Sequence, residues 1–161
     1  MTANTGRTNS KWTSFVVDDS GGTLRTIPVD SINGVGLSYD EVELTAFQDA
    51  IKGVLPAHPD LTITITGPFD TSAAATVPSL SGSHTVLSAI VGGVTPLSLD
   101  VQVGIRHVWE SGEPQFGLTS STTSGFLCTE YIPDVNGGKY SAKFRLYPGS
   151  ALPAWGTAAE T

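Results

Sequence analysis

The stretch Leu61-Thr62-Ile63-Thr64-Ile65-Thr66 decides the fold class of this chain. Apolar and hydroxyl side chains alternate strictly along it, and its isoleucines and threonines are β-branched residues that favour strands. Because successive side chains of a strand point to opposite faces of a sheet, the alternation predicts one buried and one wet face. Gly67-Pro68 follows immediately and ends the strand.

Other short runs of β character extend along the chain, at residues 12–17, 24–27, 41–44, 97–105, 115–118, 126–132 and 139–146. The polar turn 18–22 predicts a hairpin between the first two runs, and Asn136-Gly137 predicts one between the last two. In the last run we expect alternate residues to face the core, namely Tyr140, Ala142, Phe144 and Leu146. Helices do not regularly separate these strands, which favours an antiparallel arrangement over a parallel sheet.

Two segments show helical spacing instead. A capping box at 45–48 precedes apolar residues at helical intervals, namely Phe47, Ile51, Val54 and Leu55. Residues 83–91 predict a second short helix, which Gly92-Gly93 ends. The expected fold is therefore mainly β, an antiparallel β-sandwich or barrel with one or two short flanking α-helices.

The length of 161 residues is typical of one domain with its own core. We expect residues 1–11 to form a flexible N-terminal arm, residues 12–156 a single β-sandwich domain, and residues 157–161 a C-terminal tail. Charged residues make up only 14% of the chain, against roughly 25% in soluble domains. A surface poor in charge suits contacts with neighbouring subunits, since the centres of interfaces are depleted in charge.

The formal net charge of -7 gives no electrostatic basis for tight nucleic-acid binding. Cys128 is the only cysteine, so a disulfide within the chain and a thiolate metal site are both excluded. No apolar run reaches the roughly 18 residues of a membrane span, and the polar N-terminus lacks a signal-peptide core. We therefore expect the chain to be made in a reducing cytoplasm, without membrane contact.

Few residues have the pattern of a catalytic or metal site. Asp19-Ser20-Gly21-Gly22 is similar to the nucleophile motif of chymotrypsin-like proteases, but it is also a favourable turn sequence. The histidines at 58, 84 and 107 have no metal-ligand spacing, and Cys128 lies in an apolar run without a neighbouring cation. We expect no enzymatic activity, no catalytic residue, no metal and no cofactor.

Two parts of the chain resemble the tail-tube proteins of tailed bacteriophages. The first comprises Val42-Glu43-Leu44-Thr45-Ala46-Phe47-Gln48-Asp49, then Gly53-Val54-Leu55-Pro56, then the strand from Asp60 to Gly67-Pro68-Phe69-Asp70. Gln48 stands where that family often has glycine, and Val54 separates Gly53 from Leu55. The second comprises Gly125-Phe126-Leu127-Cys128-Thr129-Glu130-Tyr131, Tyr140-Ser141-Ala142-Lys143-Phe144-Arg145-Leu146 and the end at Trp155-Gly156.

The resemblance implies a tail-tube subunit of the virion. Copies would form rings of six, and the rings would stack into a hollow conduit through which DNA passes without tight binding. Self-association and contact with other virion proteins would follow, most of it through residues 1–11 and the loops 28–41, 70–82 and 106–124. Our candidate assembly contacts are Trp12, Trp109, Trp155, Glu41, Glu43, Lys143 and Arg145.

Two other functions remain open at the level of sequence. A capsid decoration protein or other accessory virion protein would show the same β-rich, charge-poor pattern. A carbohydrate-binding or adhesin module would use exposed aromatic residues such as Trp109 and Tyr131 to stack on sugars.

Overall fold

Eleven strands and one helix form the part of the chain that the computed structural model describes, residues 13–75, 79–104 and 112–157. The elements, in chain order, are β1 Thr13–Asp18, β2 Leu24–Ile27, β3 Ser31–Asn33, β4 Ser38–Glu43, β5 Val54–Asp60, β6 Thr62–Pro68, α1 Ser83–Ile90, β7 Leu99–Val103, β8 Pro114–Leu118, β9 Phe126–Asp134, β10 Lys139–Leu146 and β11 Ala154–Thr157.

The strands form three antiparallel sheets. One has five strands in the order β11-β8-β7-β1-β2, another has four in the order β3-β6-β10-β9, and β4 pairs with β5 in a sheet of two. The terminal strands of the five-stranded sheet do not pair with each other, so that sheet is open and the fold is not a closed barrel. The predicted mainly β, antiparallel fold with a short flanking helix is confirmed.

The two larger sheets pack face to face around one hydrophobic core. Phe15 of β1 and Phe144 of β10 are both fully buried, and their ring centroids lie 5.4 Å apart across the interface between the sheets. Helix α1 adds Val86, Leu87 and Ile90 to the same core. The alternation of β6 and β10 is therefore as predicted, with the isoleucines of β6 buried and its threonines partly exposed.

The helix predicted for residues 45–55 is wrong. The segment is the turn of the β4–β5 hairpin, and residues of the supposed capping box close this turn instead. Thr45 Oγ1 accepts a hydrogen bond from the Gly53 amide at 2.8 Å, and Asp49 Oδ2 accepts one from the Ala46 amide at 2.8 Å. Phe47 and Ile51 are almost fully exposed, so a helix with this spacing would have no core on which to bury its apolar face.

The predicted hairpins at 12–27 and 126–146 and the helix at 83–91 are found, the latter as α1. Two short strands, β3 and β11, were not predicted, because three or four residues are too few to show an alternation of apolar and polar side chains. β3 pairs with β6, and β11 pairs with β8, so both are held by a longer neighbour.

Candidate assembly interface

Residues 38–60 form a hairpin arm, composed of β4, its turn and β5. Its two strands pair only with each other among the described elements. Every residue of β4 is exposed, and β5 is exposed at most positions. Pro56 and Pro59 lie within β5, where an edge strand tolerates a missing N–H group.

The hairpin arm exposes a large share of its apolar side chains. Phe47 at the turn is as open as a free side chain, at 111% relative exposure, and Ile51 is 82% exposed. The other exposed apolar residues of the arm are Tyr39, Val42, Leu44, Val54 and Leu55. Val42 and Leu55 are cross-strand neighbours, and adjoining exposed apolar side chains of this kind typically mark a site of contact with another molecule.

The hairpin arm is also acidic. It carries one lysine, Lys52, against five carboxylates, Asp40, Glu41, Glu43, Asp49 and Asp60. Glu43 lies 3.3 Å from the Lys52 ammonium, and both side chains are largely exposed. The predicted contacts Glu41 and Glu43 are therefore on the surface.

The outer face of β10 carries three cations, Lys139, Lys143 and Arg145, which we call the basic ridge. Each has a carboxylate partner within the chain. Lys143 Nζ lies 3.6 Å from Glu130, its cross-strand neighbour on β9, and Arg145 donates a hydrogen bond of 2.9 Å to Asp60 at the base of the hairpin arm. All these side chains keep substantial exposure, so each ion pair contributes little to the stability of the fold.

Lys139 forms the third pair of the basic ridge. Its ammonium donates a hydrogen bond of 2.9 Å to Asp30 Oδ2, while Thr66 Oγ1 donates to Oδ1 of the same carboxylate. These two hydrogen bonds hold the pKa of Asp30 below its usual value, and the carboxylate in turn raises the pKa of Lys139. The pair connects the outer face of the four-stranded sheet to the segment before β3.

Trp155 lies at the edge of the five-stranded sheet. Its cross-strand neighbour is Phe116, whose neighbours in turn are Val101 and then Phe15, so a single row of side chains runs across the sheet. The row is buried as far as Phe116, whereas Trp155 is 55% exposed, with its ring centroid 5.1 Å from that of Phe116. Trp155 therefore extends the core row to the surface. Trp12 and Trp109 lie outside the described residues.

The Asp19-Ser20-Gly21-Gly22 sequence forms the β1–β2 turn. Asp19 Oδ1 accepts hydrogen bonds from the amides of Gly21 and Thr23, and its Oδ2 lies 3.0 Å from Arg25 Nε. Burial works against the charged carboxylate, but these hydrogen bonds and the Arg25 charge lower its pKa. Gly22 supplies the positive φ of +80° that the turn needs. The turn geometry accounts for each of these residues.

The described histidines do not converge on a metal site. His84 Nδ1 lies 2.9 Å from Tyr131 Oη in an aromatic cluster with Phe69, whereas His58 lies on the hairpin arm. Within residues 13–75, 79–104 and 112–157, no group of three or more potential ligands could hold a metal ion. Burial raises the pKa of the Cys128 thiol to about 11, which fits the predicted structural cysteine. His107 and Glu110 lie outside the described residues.

Sequence reasoning missed the apolar turn of the hairpin arm, because it assigned Phe47 and Ile51 to a core helix. The signal that was available is the pairing pattern: 41–44 and 54–60 are both extended and flank a turn-forming Asp49 and Gly53. It also left Asp60 and Glu130 unassigned as partners of the basic ridge.

In the described ranges no helix has the length and apolar character that a membrane crossing requires. No protein-family model matches the sequence, and no curated protein does.

Several solved structures share the fold at low sequence identity. A chain in the cryo-EM structure of the anti-feeding prophage cap, described as the tube-terminating cap, has a TM-score of 0.60 and 12% identity, covering 98% of this chain and 95% of that chain. A chain in the anti-feeding prophage baseplate has a TM-score of 0.57 and 8% identity, covering 99% and 97%. A chain in the sheath/tube terminator of an extracellular contractile injection system, PVC, has a TM-score of 0.55 and 12% identity, covering 88% and 92%. The chain thus has the fold of components of phage-tail-like injection systems.

Proposed function

We propose that this chain is a structural subunit of a phage-tail-like tube, in which copies of it form rings that stack into a conduit for DNA. The fold that it shares with tube, terminator and cap structures supports a place in such a tail. The observation that carries the proposal within the chain itself is the hairpin arm, whose large apolar residues are exposed, Phe47 and Ile51 most of all. In this proposal the chain acts by assembly and catalyses no reaction.

The hairpin arm gains most from a neighbouring subunit. Covering Phe47 and Ile51 would stabilise an assembly by about 1.5–3 kcal/mol for each side chain, before the entropy of association is subtracted. An isolated two-stranded hairpin is only marginally stable in water, so contact with another copy would also hold the arm in place.

The charges of the arm and of the basic ridge are complementary. Glu41 and Glu43 of one copy would face Lys143 and Arg145 of a neighbour. The partners of these cations within the chain are exposed, and an exposed ion pair contributes about 0–1 kcal/mol to stability. Exchanging these partners for those of another copy therefore costs little free energy.

Trp155 is the proposed aromatic anchor at the edge of the five-stranded sheet. Trp155 lies on β11, an edge strand of the five-stranded sheet. A half-exposed tryptophan that continues a core row fits a neighbour's pocket at low entropic cost, since Phe116 already restricts its ring.

The acidic balance of the chain suits a conduit. A net charge of -7 repels phosphate, so DNA would move along a lumen built of such subunits without adhering to it. We infer that the subunit is made in the host cytoplasm and reaches the virion by assembly with its own copies, six to a ring, and with other tail proteins.

A tube terminator is the second candidate, because two of the similar structures are a tube-terminating cap and a sheath/tube terminator. A tube subunit stacks indefinitely, whereas a terminator forms one ring and stops. A decoration protein would form neither ring stacks nor tubes.

Negative-stain electron microscopy of the concentrated, purified chain tests the proposal. We expect rings that stack into tubes of variable length. Single rings that never stack would favour the terminator, and particles that stay monomeric at every concentration would contradict both candidates.

A further inference from the structure

A cleft of about 650 Å³ lies on the sandwich, and none of the residues that line it belongs to the hairpin arm. It opens between the β1–β2 turn, the segment that follows α1 and the loop 120–122. Hydroxyl groups of Ser20, Thr95, Ser121 and Thr122 belong to residues that line it, and Ile90, Pro96 and Tyr147 supply apolar walls. The volume lies within the range of small-molecule sites, roughly 300–1,000 Å³.

Asp18 is the most buried polar residue of the lining, with 5% exposure. Its Oδ2 accepts a hydrogen bond of 2.8 Å from the Ser98 amide, and Ser120 Oγ lies 3.5 Å from the same oxygen. Ser98 and Ser120 are further joined through their hydroxyls at 3.0 Å. This network fixes the carboxylate between β1 and the loop 120–122.

The other oxygen of Asp18, Oδ1, accepts no hydrogen bond from the described residues. Asp18 lines the cleft, and its Oδ1 is not among the fully buried, unpartnered side-chain atoms of the described residues. The neighbouring Asp19 has no such capacity, because both of its oxygens are held by the turn and by Arg25. The cleft therefore offers one fixed, strong acceptor surrounded by hydroxyl groups.

These groups select the class of ligand. Asp18 and Asp19 both line the cleft, and their carboxylates would repel an anion. A divalent cation such as Ca²⁺ takes about 6–8 oxygen ligands, and no cluster of three or more acidic, histidine or cysteine ligands occurs in the described part of the chain. A neutral molecule with several hydroxyl groups matches the acceptor, the hydroxyls and the apolar walls together.

We propose that this cleft binds a neutral saccharide, with Asp18 Oδ1 accepting hydrogen bonds from sugar hydroxyls and the Ile90, Pro96 and Tyr147 wall contacting the sugar's C–H face. Tyr131, one of the aromatic residues considered for sugar stacking, does not line this cleft and instead contacts His84. The site does not depend on ring formation, so a failure of either proposal leaves the other in place.

Amide chemical-shift titrations of the full chain, kept below its assembly concentration, test the site. The probes are glucose, galactose, N-acetylglucosamine and maltose, each added alone, and calcium chloride added alone. We expect at least one saccharide to shift amides at 18–22, 93–97 and 120–122 with millimolar affinity. Asp18→Asn keeps the carbonyl acceptor for Ser98 but replaces the free oxygen by an amide donor, so binding should weaken roughly tenfold or more.

Two further variants keep the test sharp. Thr122→Val, at a cleft residue whose hydroxyl takes part in none of the hydrogen bonds above, should weaken binding with an unchanged spectrum elsewhere, and Asp40→Asn on the hairpin arm should bind as the wild type does. The site is refuted if no saccharide shifts the amide resonances of the cleft at up to about 100 mM, roughly a hundred times the expected dissociation constant. It is also refuted if calcium alone moves them, or if Asp18→Asn and Thr122→Val both bind as tightly as the wild type.

Discussion

Asp19 illustrates how a single side chain stabilises this fold at the residue scale. Its carboxylate closes the β1–β2 turn through the amides of Gly21 and Thr23 and fixes Arg25 on the neighbouring strand. Arg25 in turn donates to the Ala75 carbonyl, so the turn is tied to the segment that precedes α1. A protease-like tetrapeptide is thus explained by turn chemistry, with the serine itself exposed to solvent.

We predict that Asp19→Asn lowers the free energy of unfolding near neutral pH by about 1 kcal/mol, because it keeps an acceptor for the turn amides but loses the charge opposite Arg25. The folded pKa of Asp19 lies below its ordinary 3.8, so its contribution is fully present above that value and is lost as the pH falls through the folded pKa. Urea unfolding at several pH values measures this.

The matched control is Asp40→Asn, an exposed carboxylate on the hairpin arm, which should change the free energy of unfolding very little. A wild-type advantage over Asp19→Asn that stays constant on strong acidification would contradict the role assigned to the Asp19 charge.

At the scale of elements, the sandwich depends on contacts between its two larger sheets. β10 lies between β6 and β9 and places Phe144 against Phe15 of the opposite sheet. The register shift between Lys143 and Phe144 leaves Thr129 of β9 without a partner residue on β10, and such a bulge increases the local twist. The core is therefore most sensitive at the middle of β10.

Phe144→Ala should lower the free energy of unfolding by about 3–5 kcal/mol, since the ring is fully buried and its loss leaves a cavity between the sheets. Thermal and urea denaturation measure the change, and Ile132→Ala on the exposed part of β9 is the matched control. A loss for Phe144→Ala no larger than that for Ile132→Ala would show that the sheets do not share this core.

The elements differ in how far the sequence predicts them, and the reason is physical. β6 and β10 are predictable because their alternation is local and both faces have a defined environment. The hairpin arm is not predictable in this way, because the spacing of Phe47 and Ile51 also matches a helical pattern. Only the structure shows that no core lies beside these two residues for a helix to pack on. β3 and β11 exist only through pairing with β6 and β8, which a local pattern cannot reveal.

The same distinction applies to the candidate interface. The exposure of Lys143 and Arg145 follows from alternation along β10, whereas that of Glu41 and Glu43 does not, because every residue of β4 is exposed. The partner of Arg145 could not be predicted in this way, because the Arg145–Asp60 contact joins residues that are far apart in sequence. The cleft around Asp18 is likewise assembled from three distant loops.

At the scale of the whole molecule, charge is distributed unevenly. The hairpin arm is acidic and apolar, whereas the outer face of β10 carries the basic ridge. The two surfaces already touch within the chain where Arg145 contacts Asp60 at the base of the arm. Between copies, a head-to-tail contact of the arm of one with the basic ridge of the next is the kind that builds rings or stacks.

We predict that the double change Lys143→Glu and Arg145→Glu impairs assembly while altering the stability of the monomer by no more than about 1 kcal/mol for each exposed pair. Combining it with Glu41→Lys and Glu43→Lys should restore assembly, because the charges are then exchanged across the contact. Light scattering at low and high salt measures both. Unchanged assembly of the double variant, or failure of the exchange to restore it, would count against this pairing.

Sedimentation velocity across a range of protein concentrations tests the central claim, that the exposed hairpin arm is completed by copies of the same chain. We predict that the wild type sediments faster as its concentration rises, that Phe47→Ser with Ile51→Ser stays monomeric, and that Val135→Ser, at an exposed apolar residue outside the arm, assembles as the wild type does. A wild type that remains monomeric throughout, or an arm variant that assembles equally well, would contradict the account.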